Sequence, residues 1–248
     1  MMELRLPFGM LSINGSMSIS LNGKALESTP RVLRELLPVL YDRSLVGNLS
    51  EDTVLYRMFR NAIHEKDEGL FKRWRLRFDI TVLSGIDLGQ EFNKTLGHYH
   101  PEAADSLTYP ELYEVLHGKA TFLLQKKEGS GITDFVVVDA KAGDALLIPP
   151  NYGHVSANTS KTPLILANLV SDEFTSIYSE FIEMKGAAYY LLRGKRLVPN
   201  ETYVKIPMPR TACCNFTISK DLYTDFLSCP SCFSYLSDPT KLGKLGTI

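Results

Sequence analysis

The clearest pattern in the chain is the alternation Leu76-Arg77-Phe78-Asp79-Ile80-Thr81-Val82, in which every second residue is apolar. Successive side chains of a strand point to opposite faces, so this run predicts a half-buried strand. Further strand-like runs follow at 112–116, 121–125, 135–138, 145–148 and 163–170. Turn signals separate them: Ser84-Gly85, His117-Gly118-Lys119, Gly129-Ser130-Gly131, Lys141-Ala142-Gly143-Asp144 and Pro149-Pro150-Asn151. Short strands at such regular spacing predict an all-β sandwich or barrel rather than βαβ units.

The flanks read differently. Residues 1–70 are expected to form an arm with short helices packing on the barrel. Thr29-Pro30 is a helix-start signal followed by Leu33, Leu36 and Leu37 at helical spacing, and a second helical candidate covers 52–63 with Val54, Met58 and Phe59 on one side. After a barrel at 71–172 come mixed elements over 173–210: a helix at 175–184, a strand at 187–192 and an extended connection at 199–209. The cysteine-containing stretch 211–248 ends in Lys241-Leu242-Gly243-Lys244-Leu245-Gly246, which reads as a loose tail.

Charge removes several function classes. With 27 basic and 28 acidic residues the net charge is −1, and no basic block marks a nucleic-acid binder. No apolar run approaches the roughly 18 residues that span a bilayer, and Met1-Met2-Glu3-Leu4-Arg5 does not begin like a signal peptide. A cytoplasmic protein is expected, a setting that argues against a disulfide framework. Cys213, Cys214, Cys229 and Cys232 then offer a zinc set, with Cys229-Pro230-Ser231-Cys232 at metal-binding or redox spacing.

The chemistry concentrates in the histidines, three of whose five positions join in one geometric argument. His98 and His100, two apart on an extended segment, send both imidazoles to one face. Glu111 on the next strand would lie alongside, and His154, after the sharp Pro149-Pro150-Asn151-Tyr152-Gly153 turn, would arrive from the opposite side. Three neutral imidazoles and a carboxylate suit one divalent ion of borderline character, Fe2+, Mn2+, Ni2+ or Zn2+, with coordination positions left open.

Glu111 with Gly118, and Gly143 with Pro149, His154 and Asn158, resemble the paired motifs of the cupin superfamily, a double-stranded β-helix jelly roll. Two details depart from it: ten residues separate His100 from Glu111, and Asn151 stands at a common glycine position, where it tolerates left-handed backbone angles. Thr95-x-Gly97-His98-x-His100, Pro110-Glu111-Leu112-Tyr113 and Gly186-Ala187-Ala188-Tyr189-Tyr190 resemble, more narrowly, the cupin-type glucose-6-phosphate isomerases of archaea and some bacteria. The resemblance covers about residues 50–210 and is most specific over 81–158.

That resemblance implies an aldose–ketose isomerase of glycolysis and gluconeogenesis, interconverting glucose 6-phosphate and fructose 6-phosphate. It implies one metal ion per subunit, Fe2+ foremost, and a homodimer. It assigns the phosphate to Thr81, Thr95 and Gly97, places Tyr113 in the pocket and matches Tyr56 to a substrate-contacting tyrosine. Hydroxyls and a backbone N–H hold a phosphate without arginine, and glycine lets that backbone approach closely. Strand preference alone would equally account for Thr81 and Thr95. Of the family's stretch after the last barrel strand only Tyr178 persists, and its histidine is missing. Glu111 and Tyr113 are the candidate hydrogen carriers for a metal-assisted 1,2-shift. A cupin fold alone would equally accommodate a dioxygenase or a non-catalytic sugar-phosphate-binding protein.

Overall fold

The computed structural model describes residues 1–47, 49–129 and 131–243. Two antiparallel sheets face each other. One runs in the order Ala145–Ile148, Glu111–His117, Leu164–Ser171, Leu76–Leu83, Val54–Phe59, Thr29–Val32; the other runs Tyr152–Asn158, Lys119–Glu128, Gly131–Lys141, Arg210–Ala212, its last pair parallel. Chain neighbours are repeatedly separated in the sheets, which is the crossover pattern of the cupin jelly roll. The predicted strands are all present. The turn residues behave as their types suggest: Gly118, Gly143 and Asn151 have φ of 89°, 91° and 69°.

The six-stranded sheet is covered on both faces. Tyr113, Val115, Leu146, Ile148, Leu164 and Leu166 pack toward the second sheet with Phe122, Leu124 and Phe135. Their alternates Leu112, Leu116, Leu147, Ile165, Ala167 and Leu169 pack outward with Phe78 and Ile80. That is why Leu164–Ser171, buried along its whole length, is an almost unbroken apolar run.

The outer cover corrects the reading of both termini. The N-terminal arm begins with a four-stranded sheet, Met2–Leu6, Gly9–Ile13, Ile19–Leu21 and Lys24–Ala25. Its signals were legible: Leu4 and Leu6 alternate with charged residues, and Asn22-Gly23, both at positive φ, form a two-residue hairpin turn. The helix expected over 52–63 is the strand Val54–Phe59, paired on both sides. Leu55 and Tyr56 pack inward and Val54 and Phe59 outward, so apolar residues on both faces imitate helical spacing. Thr29-Pro30 does not start the first helix; it lies in the edge strand Thr29–Val32, where a missing N–H is tolerated. A single turn, Leu33–Leu36, follows, with the Glu35 carboxylate accepting from Val32 N at 2.9 Å.

Toward the C-terminus the helix expected over 175–184 shortens to Ser179–Glu183, and a strand occupies Tyr189–Leu192. The described part of the last stretch, 211–243, is packed. The helix Leu222–Ser228 and 3-10 turns at Pro230–Leu236 and Pro239–Lys241 bury Tyr223, Phe226, Phe233, Leu236 and Leu242 against the outer core. Lys244, Leu245 and Gly246 lie outside the described residues. The zinc expectation also fails: Cys229 and Cys232 form a disulfide, Cys213 is exposed, and the Cys214 thiol points at the Asp139 carbonyl. Two of the four sulfurs are bonded to each other, which leaves no thiolate quartet. No helix among the described residues is long and apolar enough to cross a membrane.

Candidate metal centre

His98 and His154 face each other as an antiparallel pair, His98 N donating to His154 O at 3.2 Å and His154 N to His98 O at 3.0 Å. The segment bearing His98 thus adds to the smaller sheet beside Tyr152–Asn158. Glu111 opens a strand of the opposing sheet, where Glu111, Tyr113 and Val115 point inward. The sequence expectation is therefore reversed in one respect. His154 is the lateral neighbour of His98, and Glu111 reaches in from across the barrel.

One donor atom each from His98, His100, Glu111 and His154 lies within 4.8 Å of the others. Glu111 Oε2 is 3.3 Å from both His100 Nε2 and His154 Nε2, and 3.8 Å from His98 Nε2. None of these contacts is aligned as a hydrogen bond, so Glu111 Oε2 is buried without a partner. His100 Nδ1 donates to the Tyr109 carbonyl at 2.7 Å, which leaves its Nε2 as a lone pair facing the cluster. His98 Nε2 sits 3.0 Å from that nitrogen, and the Tyr113 hydroxyl sits 3.2 Å from His154 Nε2.

The electrostatics match a cation site. Burial, then the neighbouring His154 and His100, hold His98 well below 6.5, and burial likewise depresses His154. Burial alone would raise Glu111, but the His100 and His154 imidazoles outweigh it and keep the carboxyl well below 4.5. His98 and His154, both held low, converge with His100 on an ionised carboxylate in one buried cluster. An unpartnered buried carboxylate oxygen is costly, and a divalent cation is the group that satisfies it. The donor set therefore fits a metal ion.

Thr81, His98, His100, Glu111 and Tyr113 line one cleft of about 50 Å3, together with Arg60, Arg77, Asp79, Asn168 and Tyr178. At roughly 30 Å3 per water this holds one or two waters. A larger depression of about 660 Å3 beside Tyr41, Tyr190 and Asn200 contains none of the four donors. Tyr56, Thr95 and Gly97 do not line the cleft. The Tyr56 hydroxyl accepts from Leu96 N at 3.3 Å and the Thr95 hydroxyl from Ser156 N at 3.0 Å. The α-carbon of Gly97, at φ 89°, backs onto Phe181 and Val155. The charged residues Arg60, Arg77 and Asp79 were not singled out from sequence, although Arg77-x-Asp79-x-Thr81 forms the polar face of the clearest alternation. Asn158 acts away from the cleft: its Nδ2 donates to Ser84 O and Thr162 O at 3.1 and 2.8 Å, tying two loops together.

Residues 31–207 match the family model for glucose-6-phosphate isomerase (GPI). A glucose-6-phosphate isomerase of Thermococcus onnurineus (strain NA1) is 34% identical over 117 residues, 47% of this chain and 54% of that protein. Glucose-6-phosphate isomerases of Thermococcus kodakarensis and Thermococcus litoralis are 33% identical over 119 residues and 32% over 118. The chain spans about half the length of the curated relatives it matches.

Proposed function

The chain belongs to the glucose-6-phosphate isomerase family, and from that premise we propose that it is a metal-dependent aldose–ketose isomerase interconverting glucose 6-phosphate and fructose 6-phosphate. The observation that carries the metal dependence is the buried, unpartnered Glu111 Oε2 among three imidazole nitrogens. His98, His100, Glu111 and His154 would hold one divalent ion, with Fe2+ our choice among Fe2+, Mn2+, Ni2+ and Zn2+. When bound, that ion would polarise the sugar carbonyl as a Lewis acid.

The chain's own residues supply the rest. Isomerisation moves a hydrogen between C1 and C2 and a proton between their oxygens. Burial, followed by the charge of Glu111, pushes the Tyr113 hydroxyl well above its usual 10. Tyr113 therefore keeps its proton near neutral pH and serves as a neutral donor to a sugar oxygen. Glu111 is the ionised carboxylate of the donor cluster and our candidate for carrying the proton along an enediol route. Thr81, which lines the cleft, is our candidate for holding the substrate. Tyr56, Thr95 and Gly97 enter this reading on the resemblance alone. We also take the working state to be a homodimer in the cytoplasm.

The test is conversion of fructose 6-phosphate by protein stripped with a chelator and then reloaded with each metal in turn. Activity should vanish on stripping and return with at least one ion. No conversion with any ion would sink the reading, and O2 consumption in its place would point to dioxygenase chemistry. Deuterium from solvent entering C2 during turnover supports the enediol route, and its absence the hydride shift.

A further inference from the structure

We propose that Arg60, held in place by Asp79 and Arg77, recognises the anionic group of the substrate, which on the isomerase reading above is a phosphate monoester. The strand Leu76–Leu83 sends Arg77, Asp79 and Thr81 to the face that lines the cleft, while Leu76, Phe78, Ile80 and Val82 join the outer core. Arg60 follows directly on the neighbouring strand Val54–Phe59. The chain then turns through Asn61, at φ 52°, whose N–H donates to Asp79 Oδ1 at 3.0 Å. Asp79 Oδ2 accepts from Arg77 Nε at 2.8 Å and from Arg60 Nη1 at 3.2 Å.

Two guanidinium groups on one carboxylate leave this trio one net positive charge, which Glu111 in the same cleft offsets until a cation is bound. The two arginines are not equivalent. The Arg77 side chain is 12% exposed, gives a second bond to Ser171 O at 3.4 Å and lies over the Phe174 ring. Arg60 is 43% exposed and, among the described residues, spends a single N–H on Asp79. Its side chain lines the same cleft as His98, His100 and Glu111. That cleft therefore carries a cluster of lone pairs, which takes a cation, and a fork of guanidinium donors, which takes an oxyanion. A planar guanidinium matches the oxygens of a phosphate in pairs, as a lysine does not.

Metal-loaded Arg60→Ala and Arg60→Lys variants would be compared with the parent, with Arg60→Gln as a second removal of the charge should alanine disturb folding. Two readouts are used: KM and kcat with fructose 6-phosphate, and calorimetric binding of inorganic phosphate without turnover. A charged hydrogen bond is worth 1.5–3 kcal/mol, so Arg60→Ala should raise both KM and the phosphate Kd by roughly 10- to 100-fold. Its kcat should stay within a few-fold of the parent, and Arg60→Lys should restore binding only in part. If neither protein isomerises but the parent binds phosphate and Arg60→Ala does not, the isomerase reading fails and this one stands. A parent that binds no phosphate, or a KM and Kd in Arg60→Ala within twofold of the parent, overturns the assignment.

Discussion

Replacing Glu114 by glutamine would separate the structural carboxylate of the central strand from its chemical one. Glu114 lies three residues after Glu111 on Glu111–His117, but faces the outer core, where its Oε2 accepts from Leu222 N at 2.8 Å. Burial, and after it the charges of Asp221 and Asp225, outweigh that bond and push its carboxyl up to about 7. Below about pH 4.5 the group is protonated in both the folded and the unfolded chain. As pH rises the unfolded chain releases its proton first, so stability falls until the folded carboxyl ionises near 7. A carboxyl displaced that far costs the folded state roughly 3 kcal/mol at pH 8 relative to pH 4. Glutamine keeps an acceptor for Leu222 N and does not titrate. Urea denaturation at fixed protein concentration, with the disulfide intact, should show Glu114→Gln close to the parent at pH 5. At pH 8 it should be up to about 3 kcal/mol more stable. Metal content should be unchanged, because the side chain points away from the cluster. A difference between variant and parent that stays constant within about 0.5 kcal/mol from pH 5 to 8 would refute this account of the buried carboxyl.

Other expectations are more direct. Glu111→Gln and His100→Ala should each reduce bound metal measured by elemental analysis, and metal content equal to the parent would remove that residue from the donor set. Gly97→Ala places a methyl carbon 2.5 Å from a Phe181 ring carbon at φ 89°, whereas Gly143→Ala, at φ 91°, meets nothing within 4 Å. The second should lose only the backbone strain, about 1–2 kcal/mol, and the first about 1–3 kcal/mol more; equal melting temperatures would show that the Phe181 contact is slack. Cys229→Ser opens a bridge between residues three apart, and so short a loop predicts a loss of no more than about 2 kcal/mol. Denaturation with and without reductant tests this: the parent should respond and the variant should not.

Much of the barrel and its donors was legible because it is written locally. The alternation from Leu76 to Val82, the turn glycines and the His98-x-His100 spacing each occupy a few residues and follow strand geometry directly. The flanks were not, and the reasons are specific. In Val54–Phe59 burial on both faces erases the period that separates strand from helix. In the last stretch Tyr223, Phe226 and Phe233 have no apolar stripe long enough to announce a helix; Tyr223 and Phe226 gain their place by docking on Phe8, Phe71 and Phe78, and Phe233 by packing on Phe226.

His98, His100, Glu111 and His154 were legible from the sequence as a candidate donor set, and the structure brings one donor atom of each within 4.8 Å of the others. Which of them share a sheet was decided only in three dimensions, by a register that sets His98 opposite His154 and brings Glu111 across the barrel. The same holds for the four cysteines, where one disulfide forecloses a zinc site that spacing allows. It holds again for Arg60 and Asp79, 19 residues apart, whose pairing on the cleft wall follows from the alignment of two strands. Local steric rules fix what each segment becomes, whereas the partners of a buried charge depend on which segments the closing of the barrel brings together.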